Sequence, residues 1–172
     1  MPNEKEYLIK IPDFRDSPSE HMNQAVDQAV KSRRDIIENL MAQLRQGDLS
    51  NEGKVYTIYL LGQLRAVEAV TLLIENIDLK ASKVDPKVSI GRWGMYPAQE
   101  ALSKIGQPAV NMILDKLPTE RDELRRRLMC YVISNVDGKD VGIVLLRLRQ
   151  DQESDSMKKS FLGLAQKILE DM

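Results

Sequence analysis

Leu61-Gly62-Gln63-Leu64, followed five residues later by Ala69-Val70 and then by Leu72, Leu73, Ile74 and Ile77, is the stretch that decides the fold. Its apolar residues recur at three and four positions on either side of a short polar break, the spacing of two amphipathic helices joined by a tight turn. The arrangement returns at Leu102-Ser103-Lys104-Ile105, followed by Ala109-Val110 and by Met112, Ile113, Leu114 and Leu117. A third copy runs from Ile133 and Val136 through Val141 to Val144, Leu145 and Leu148. The leading apolar residues stand 41 and 31 residues apart, the first interval being longer because it holds a mixed segment, 78–95, with Pro86, Gly91 and Gly94. Paired helices at this period predict an all-α stack in which each pair buries its apolar face against the next.

Outward from that core the same periodicity extends to both ends. Met22, Ala25, Val26, Ala29, Val30, Ile36, Ile37, Leu40, Met41 and Leu44 predict one long helix. Arg33 interrupts its stripe, so a bend or break is expected near Lys31 to Arg34, with Gly47 closing the helix. Ser50-Asn51 is a helix cap for a segment ending at Leu64, and residues 67–77 form the next helix. Segments 96–105 and 108–117 follow, each with a proline in its first turn. Thr119 and Asp122 make an approximate capping box for a helix to Val136, and segments 139–149 and 154–169 complete the set. Residues 1–17 read as an irregular arm with one short strand over 7–11. The expected organisation is thus an arm, 1–17, and one helical domain, 18–172, carrying an insertion loop, 78–95.

At the Leu-Gly-x-Leu and Ala-Val-x-x-Leu-Leu stretches the sequence resembles the HEAT-like repeat family, and in particular its phycobilisome-lyase type. The first copy matches closely, the second has Ser103 in place of the glycine, and the third lacks the alanine. The resemblance covers about residue 30 to the C-terminus. It implies a right-handed αα superhelix, a HEAT-like solenoid of about four helix pairs: 30–64, 67–105, 108–136 and 139–171. It also implies that the Leu-Gly-x-Leu helices line a concave inner side and the Ala-Val helices a convex outer side. Such patterns record packing between helix pairs and say little about chemistry.

Composition narrows the function. The chain has 172 residues, with Lys+Arg at 25 and Asp+Glu at 26, so its net charge of -1 does not favour non-specific contact with nucleic acid. One His and one Cys exclude Cys/His zinc sites, an internal disulfide and paired-His di-iron sites. His21 lies in a polar turn beside Glu20, and Cys130 follows Met129 in an apolar helix, so surface exposure and inert packing are expected for them. No phosphate-binding glycine loop or dinucleotide turn occurs. No run reaches about 18 apolar residues and the first residues lack a secretory pattern, so no membrane contact and a cytoplasmic location are the default expectation.

On the inner helices, counting back from Leu61, Leu102 and Ile133 places core residues at minus four, minus one and zero. Tyr59, Glu100 and Tyr131 at minus two, and Val55, Tyr96 and Arg127 at minus six, then project away from the core. Tyrosine joins an apolar ring to a polar tip, which suits partner contacts, although such rings also pack into the seams between helices. In the insertion, Lys80, Lys83, Lys87 and Arg92 bracket Trp93, which serves either as a binding element or as an anchor for the loop. Arg125, Arg126 and Arg127 spread over about 200° of a helix. With Arg147 and Arg149 they read as a solvated face with local pairs such as Asp122 with Arg126. The expected function is a non-enzymatic protein or peptide interaction module that needs no cofactor or metal, with Tyr59, Tyr96, Glu100, Arg127, Tyr131 and Trp93 as the partner-binding candidates. A monomer or weak homodimer is expected, since terminal repeats can stack between chains. Two alternatives remain open: a lyase or chaperone-like subunit, and a DNA-binding helical-repeat protein similar to alkylpurine glycosylases, against which Glu100 and the charge balance count.

Overall fold

A computed structural model describes residues 18–46, 49–81 and 95–172 of the chain. Within them the protein is all-helical, with no strand among the described residues. The helices are α1 (Pro18–Gln46), α2 (Asn51–Gln63), α3 (Val70–Glu75), α4 (Pro97–Ile105), α5 (Gln107–Lys116), α6 (Glu123–Asp137), α7 (Lys139–Gln152) and α8 (Ser156–Glu170). The short strand expected over 7–11 and the closing Gly47 lie outside the described residues. No described helix is long and apolar enough to cross a membrane.

Local chemistry sets most of these boundaries. The Ser50 hydroxyl accepts from the Gly53 amide at 3.2 Å and opens α2. Asp155 opens α8 by accepting from the amides of Met157 and Lys158, at 2.8 and 3.0 Å. Asp122 itself caps α6, accepting from the Arg125 amide at 2.9 Å. The expected Thr119 capping box is therefore not formed. Thr119 instead ends a 3-10 turn, Leu117–Thr119, and its hydroxyl donates to the Lys116 carbonyl. A second 3-10 turn, Val67–Ala69, leads into α3, where one continuous helix over 67–77 was expected. Gly106, with φ at 84°, is the single residue between α4 and α5, and Gly138, also at 84°, is the single residue between α6 and α7. Left-handed backbone there lets the chain reverse within one residue, which a side chain would resist. Arg65, at φ 47°, takes the corresponding place after α2.

Each helix of the sequence pairs α1/α2, α3/α4, α5/α6 and α7/α8 packs on its own mate. In addition α2 packs on α4, α4 on α6 and α6 on α8, so the even-numbered helices form one consecutive row. On the other side α3 contacts α5, and α5 is tied to α7 by an ion pair between Asp115 and Arg149 at 2.8 Å. Buried side chains from Ile37 in α1 to Leu169 in α8 join into one apolar cluster that threads all four pairs. The row is tightest between α2 and α4, where a Cβ placed on Gly62 would lie 2.8 Å from the backbone Cα of Ala101.

Helix α1 runs without a break through Lys31–Arg34. Arg33 departs from the apolar stripe because its Nη2 donates to the carbonyls of Leu64 and Arg65, at 2.8 and 3.3 Å, where α2 ends. Those terminal carbonyls have no partner within their own helix, and a guanidinium at a helix C-terminus also meets its negative dipole end.

Two registers differ from the sequence expectation. In α2, Val55 is buried and Leu60 exposed, the reverse of their expected places, because α2 is covered by α1 as well as α4 and turns Ile58 inward. In the third repeat, α6 keeps the expected positions, with Met129, Val132 and Ile133 fully buried. Asp137 is then an extra residue before the Gly138 reversal, so α7 is rotated by one position. Gly142 and Leu146 face inward, and Val141, Val144 and Leu148 are 50, 53 and 53% exposed instead of forming core.

Candidate functional site

A hollow lies between α6 and α8, the last two helices of the even-numbered row. Two depressions, of about 380 and 320 Å3, share Arg127, Ile168 and Asp171 and so run together as one groove. Tyr131 and Met172 line one end, Glu123, Arg126, Leu164 and Lys167 the other. On α8, positions 164, 167, 168 and 171 fall on one helical face, and on α6 positions 123, 127 and 131 do the same. An aliphatic strip from Leu164 and Ile168 is thus flanked by charges, with the Tyr131 ring 39% exposed beside it. Such a mixture of an amphipathic ring, an exposed leucine beside a half-buried isoleucine, and a charged rim is what partner-binding surfaces carry.

The three successive arginines of α6 have separate fates. Arg127 is exposed and sits 3.6 Å from Glu123. Arg125 turns the other way: its guanidinium meets Glu120 at 3.1 Å and Asp78 at 2.7 Å, and donates to the carbonyls of Ile74 and Glu75 where α3 ends. Burial, the largest single influence, disfavours its charge, but the Glu120 and Asp78 carboxylates together outweigh it and raise its pKa. Arg126 is buried, 4% exposed. Its Nη2 donates to the Glu120 carbonyl at 2.9 Å and, at 3.4 Å, to that of Arg121, and the guanidinium carbon lies 5.2 Å from the centre of the Phe161 ring. Its enclosed Nε has no acceptor among the described residues. The expected Asp122–Arg126 pair is not formed, because Asp122 is committed to the helix cap. A solvated, salt-bridged face accordingly describes Arg127, Arg147 and Arg149, but not Arg125 or Arg126.

Of the other candidates, Tyr59 is half-buried with the Lys104 Nζ 5.3 Å from its ring centre, a cation–π contact across the α2/α4 seam. Tyr96 precedes α4 and packs against the apolar cluster, so it does not project freely from the inner face as its minus-six position suggested. Its ring lies 6.0 Å from the Lys80 Nζ. Glu100 is half-buried on α4. Only Arg127 and Tyr131 are brought into one groove; Trp93 lies outside the described residues. The insertion closes at its base, where the Ala81 amide donates to the Met95 carbonyl at 3.0 Å.

Sequence reasoning missed the α8 half of the groove. The signal was present in Leu164, Lys167 and Ile168, an apolar and cationic face at helical spacing on the closing helix. Arg126 could not be found that way, since its burial depends on Phe161, far along the chain. Cys130 is buried, its thiol donating to the Ala165 carbonyl at 3.5 Å. Burial pushes its pKa up to about 12, against the smaller opposing effect of the Arg126 charge. A thiol so poised is a poor nucleophile at neutral pH. On the odd-numbered side, a hollow of about 240 Å3 between α3 and α5 is walled by Met112, Lys116 and the engaged Arg125. Comparison with protein-family models, with curated proteins and with solved structures finds no match to this chain.

Proposed function

We propose that the chain is a non-enzymatic interaction module, a short HEAT-like solenoid of four helix pairs that holds a protein or peptide along its even-numbered helices. Support for the solenoid comes from the consecutive row α2, α4, α6 and α8 and from the left-handed residues Arg65, Gly106 and Gly138 at matching reversals. Stacked pairs leave one extended face, and its groove is the usual place for a partner. The observation that carries the functional reading is the α6/α8 groove, where Tyr131 and Arg127 stand beside Leu164 and Ile168. Glu123 and Asp171 sit among the cations there, so the groove is not the continuous positive stripe that a phosphate backbone favours.

The test is comparative affinity purification. A tagged Tyr131→Ala/Leu164→Ala variant is expected to lose proteins that the wild type retains, while Val144→Ser on the exposed face of α7 keeps them. Both variants alter exposed side chains, so their helical circular dichroism should match wild type. A folded Tyr131→Ala/Leu164→Ala variant that retains every partner overturns the reading.

A further inference from the structure

Arg126 is a buried cation with no buried counter-ion. Its acceptors are two neutral backbone carbonyls, the Phe161 ring offers only its quadrupole, and its Nε–H is unanswered among the described residues. Glu120, the one buried carboxylate among the described residues, is taken by Arg125 and the Asp122 amide. Burying a charge without an opposite charge is unfavourable, and a buried donor left unpaired calls for an explanation. Arg126 forms part of the groove wall, with Lys167 nearby on α8, and among the described residues Lys167 makes no ion pair. Arg127 completes three cations against two carboxylates, one of which, Glu123, already faces Arg127. This end of the groove is thus electrostatically incomplete in favour of an anion.

Its apolar part constrains the anion's neighbour. Leu164 lies one turn from Lys167 on the same face of α8, with Ile168 adjacent. Residues three apart on a helix hold their Cβ atoms about 5–6 Å apart. A ligand that meets the aliphatic and cationic side chains together therefore carries an acid and an apolar group close to one another. The last residue of a peptide does this when it is aliphatic, because its α-carboxylate and its side chain leave the same carbon. We infer that the α6/α8 groove captures the C-terminal residue of a partner chain, an aliphatic residue whose carboxylate faces the exposed Lys167 beside the buried charge of Arg126 and whose side chain covers Leu164 and Ile168. The inference rests on the peptide-binding reading above and specifies what that groove selects.

The experiment is an NMR titration of the full 15N-labelled chain, following backbone amides of 123–131 and 164–171 and the arginine Nε–Hε signals. Three probes are compared: N-acetyl-L-leucine, its amide, and N-acetyl-leucyl-glutamic acid α-amide, in which only the side-chain acid is free. N-acetyl-L-leucine is expected to bind at about 2 mM, set by its size, to move the Arg126 Nε–Hε signal, and to bind at least tenfold more tightly than its amide. Lys167→Gln, an exposed change that leaves the fold intact, should weaken it at least fivefold. Equal binding of acid and amide in the groove overturns the carboxylate assignment and leaves the peptide groove standing. Tighter binding of the internal acid overturns the terminal-residue assignment. Absence of groove shifts with any probe, or binding unaffected by Lys167→Gln, overturns the inference altogether.

Discussion

Gly62→Ala tests the closest approach in the helix row. A Cβ at residue 62 falls 2.8 Å from both Cα and Cβ of Ala101, whereas carbon atoms pack best at about 3.5–4.0 Å. The obstacle is backbone, so no rotamer relieves it, and α2 and α4 must part by about 1 Å. Overpacking against backbone falls at the upper end of the usual cost, about 2–3 kcal/mol, against which alanine's better helix propensity returns about 1 kcal/mol. A net loss of about 1–2 kcal/mol is expected, or about 2–8 °C in Tm for a chain of this size. Gly163→Ala is the internal control. Its Cβ would meet only the Gln150 Nε2, at 3.0 Å, the end of a flexible side chain that can move. It should stay within about 1 kcal/mol of wild type. Urea and thermal denaturation followed at 222 nm measure both. A Gly62→Ala variant as stable as wild type refutes the close α2/α4 contact.

Other outcomes follow from single features. Gly106→Ala and Gly138→Ala should each cost about 2 kcal/mol, because both backbones sit in glycine-only territory although nothing crowds the site, and Arg65→Gly should gain about 1 kcal/mol for the converse reason; equilibrium unfolding reads all three. Arg125→Ala should lower stability by about 3 kcal/mol by breaking its contacts to Glu120, Asp78 and the end of α3, with little rescue by lysine, whose ammonium lacks the planar fork. Cys130 gives a pH test: its folded pKa is raised, so the contribution is complete below the ordinary thiol value near 9. It falls by about 1.4 kcal/mol per pH unit as the unfolded thiol ionises first, and is lost at about 12. Denaturation at pH 8 to 11 should show that slope in wild type and not in Cys130→Ala.

Helix pairing was legible because it rests on local spacing. Ala98, Ala101 and Leu102 are buried where counting from the repeat placed them, as are Met129, Val132 and Ile133. Register failed where one residue changed the count: Asp137 rotates α7 and turns Val141, Val144 and Leu148 outward, which hydrophobic spacing alone reads as core. Position 62 and its counterpart 103 show another limit of pattern. Gly62 meets the Ala101 backbone, while Ser103, half-buried, has room to accept from Asn135 at 3.4 Å across the α4/α6 seam. The groove was half legible, in Arg127 and Tyr131. Its other half combines α8 side chains with an arginine whose burial is fixed by tertiary contacts to Phe161 and to the loop carbonyl of Glu120.

Site-directed photo-crosslinking in cells tests the binding face most directly. With a photoreactive amino acid at position 131 or 164, in the α6/α8 groove, a discrete crosslinked partner is expected, and the same probe at position 144 on α7 should give none. Crosslinks from 144 with none from 131 or 164 would contradict the assignment of binding to the even-numbered helices.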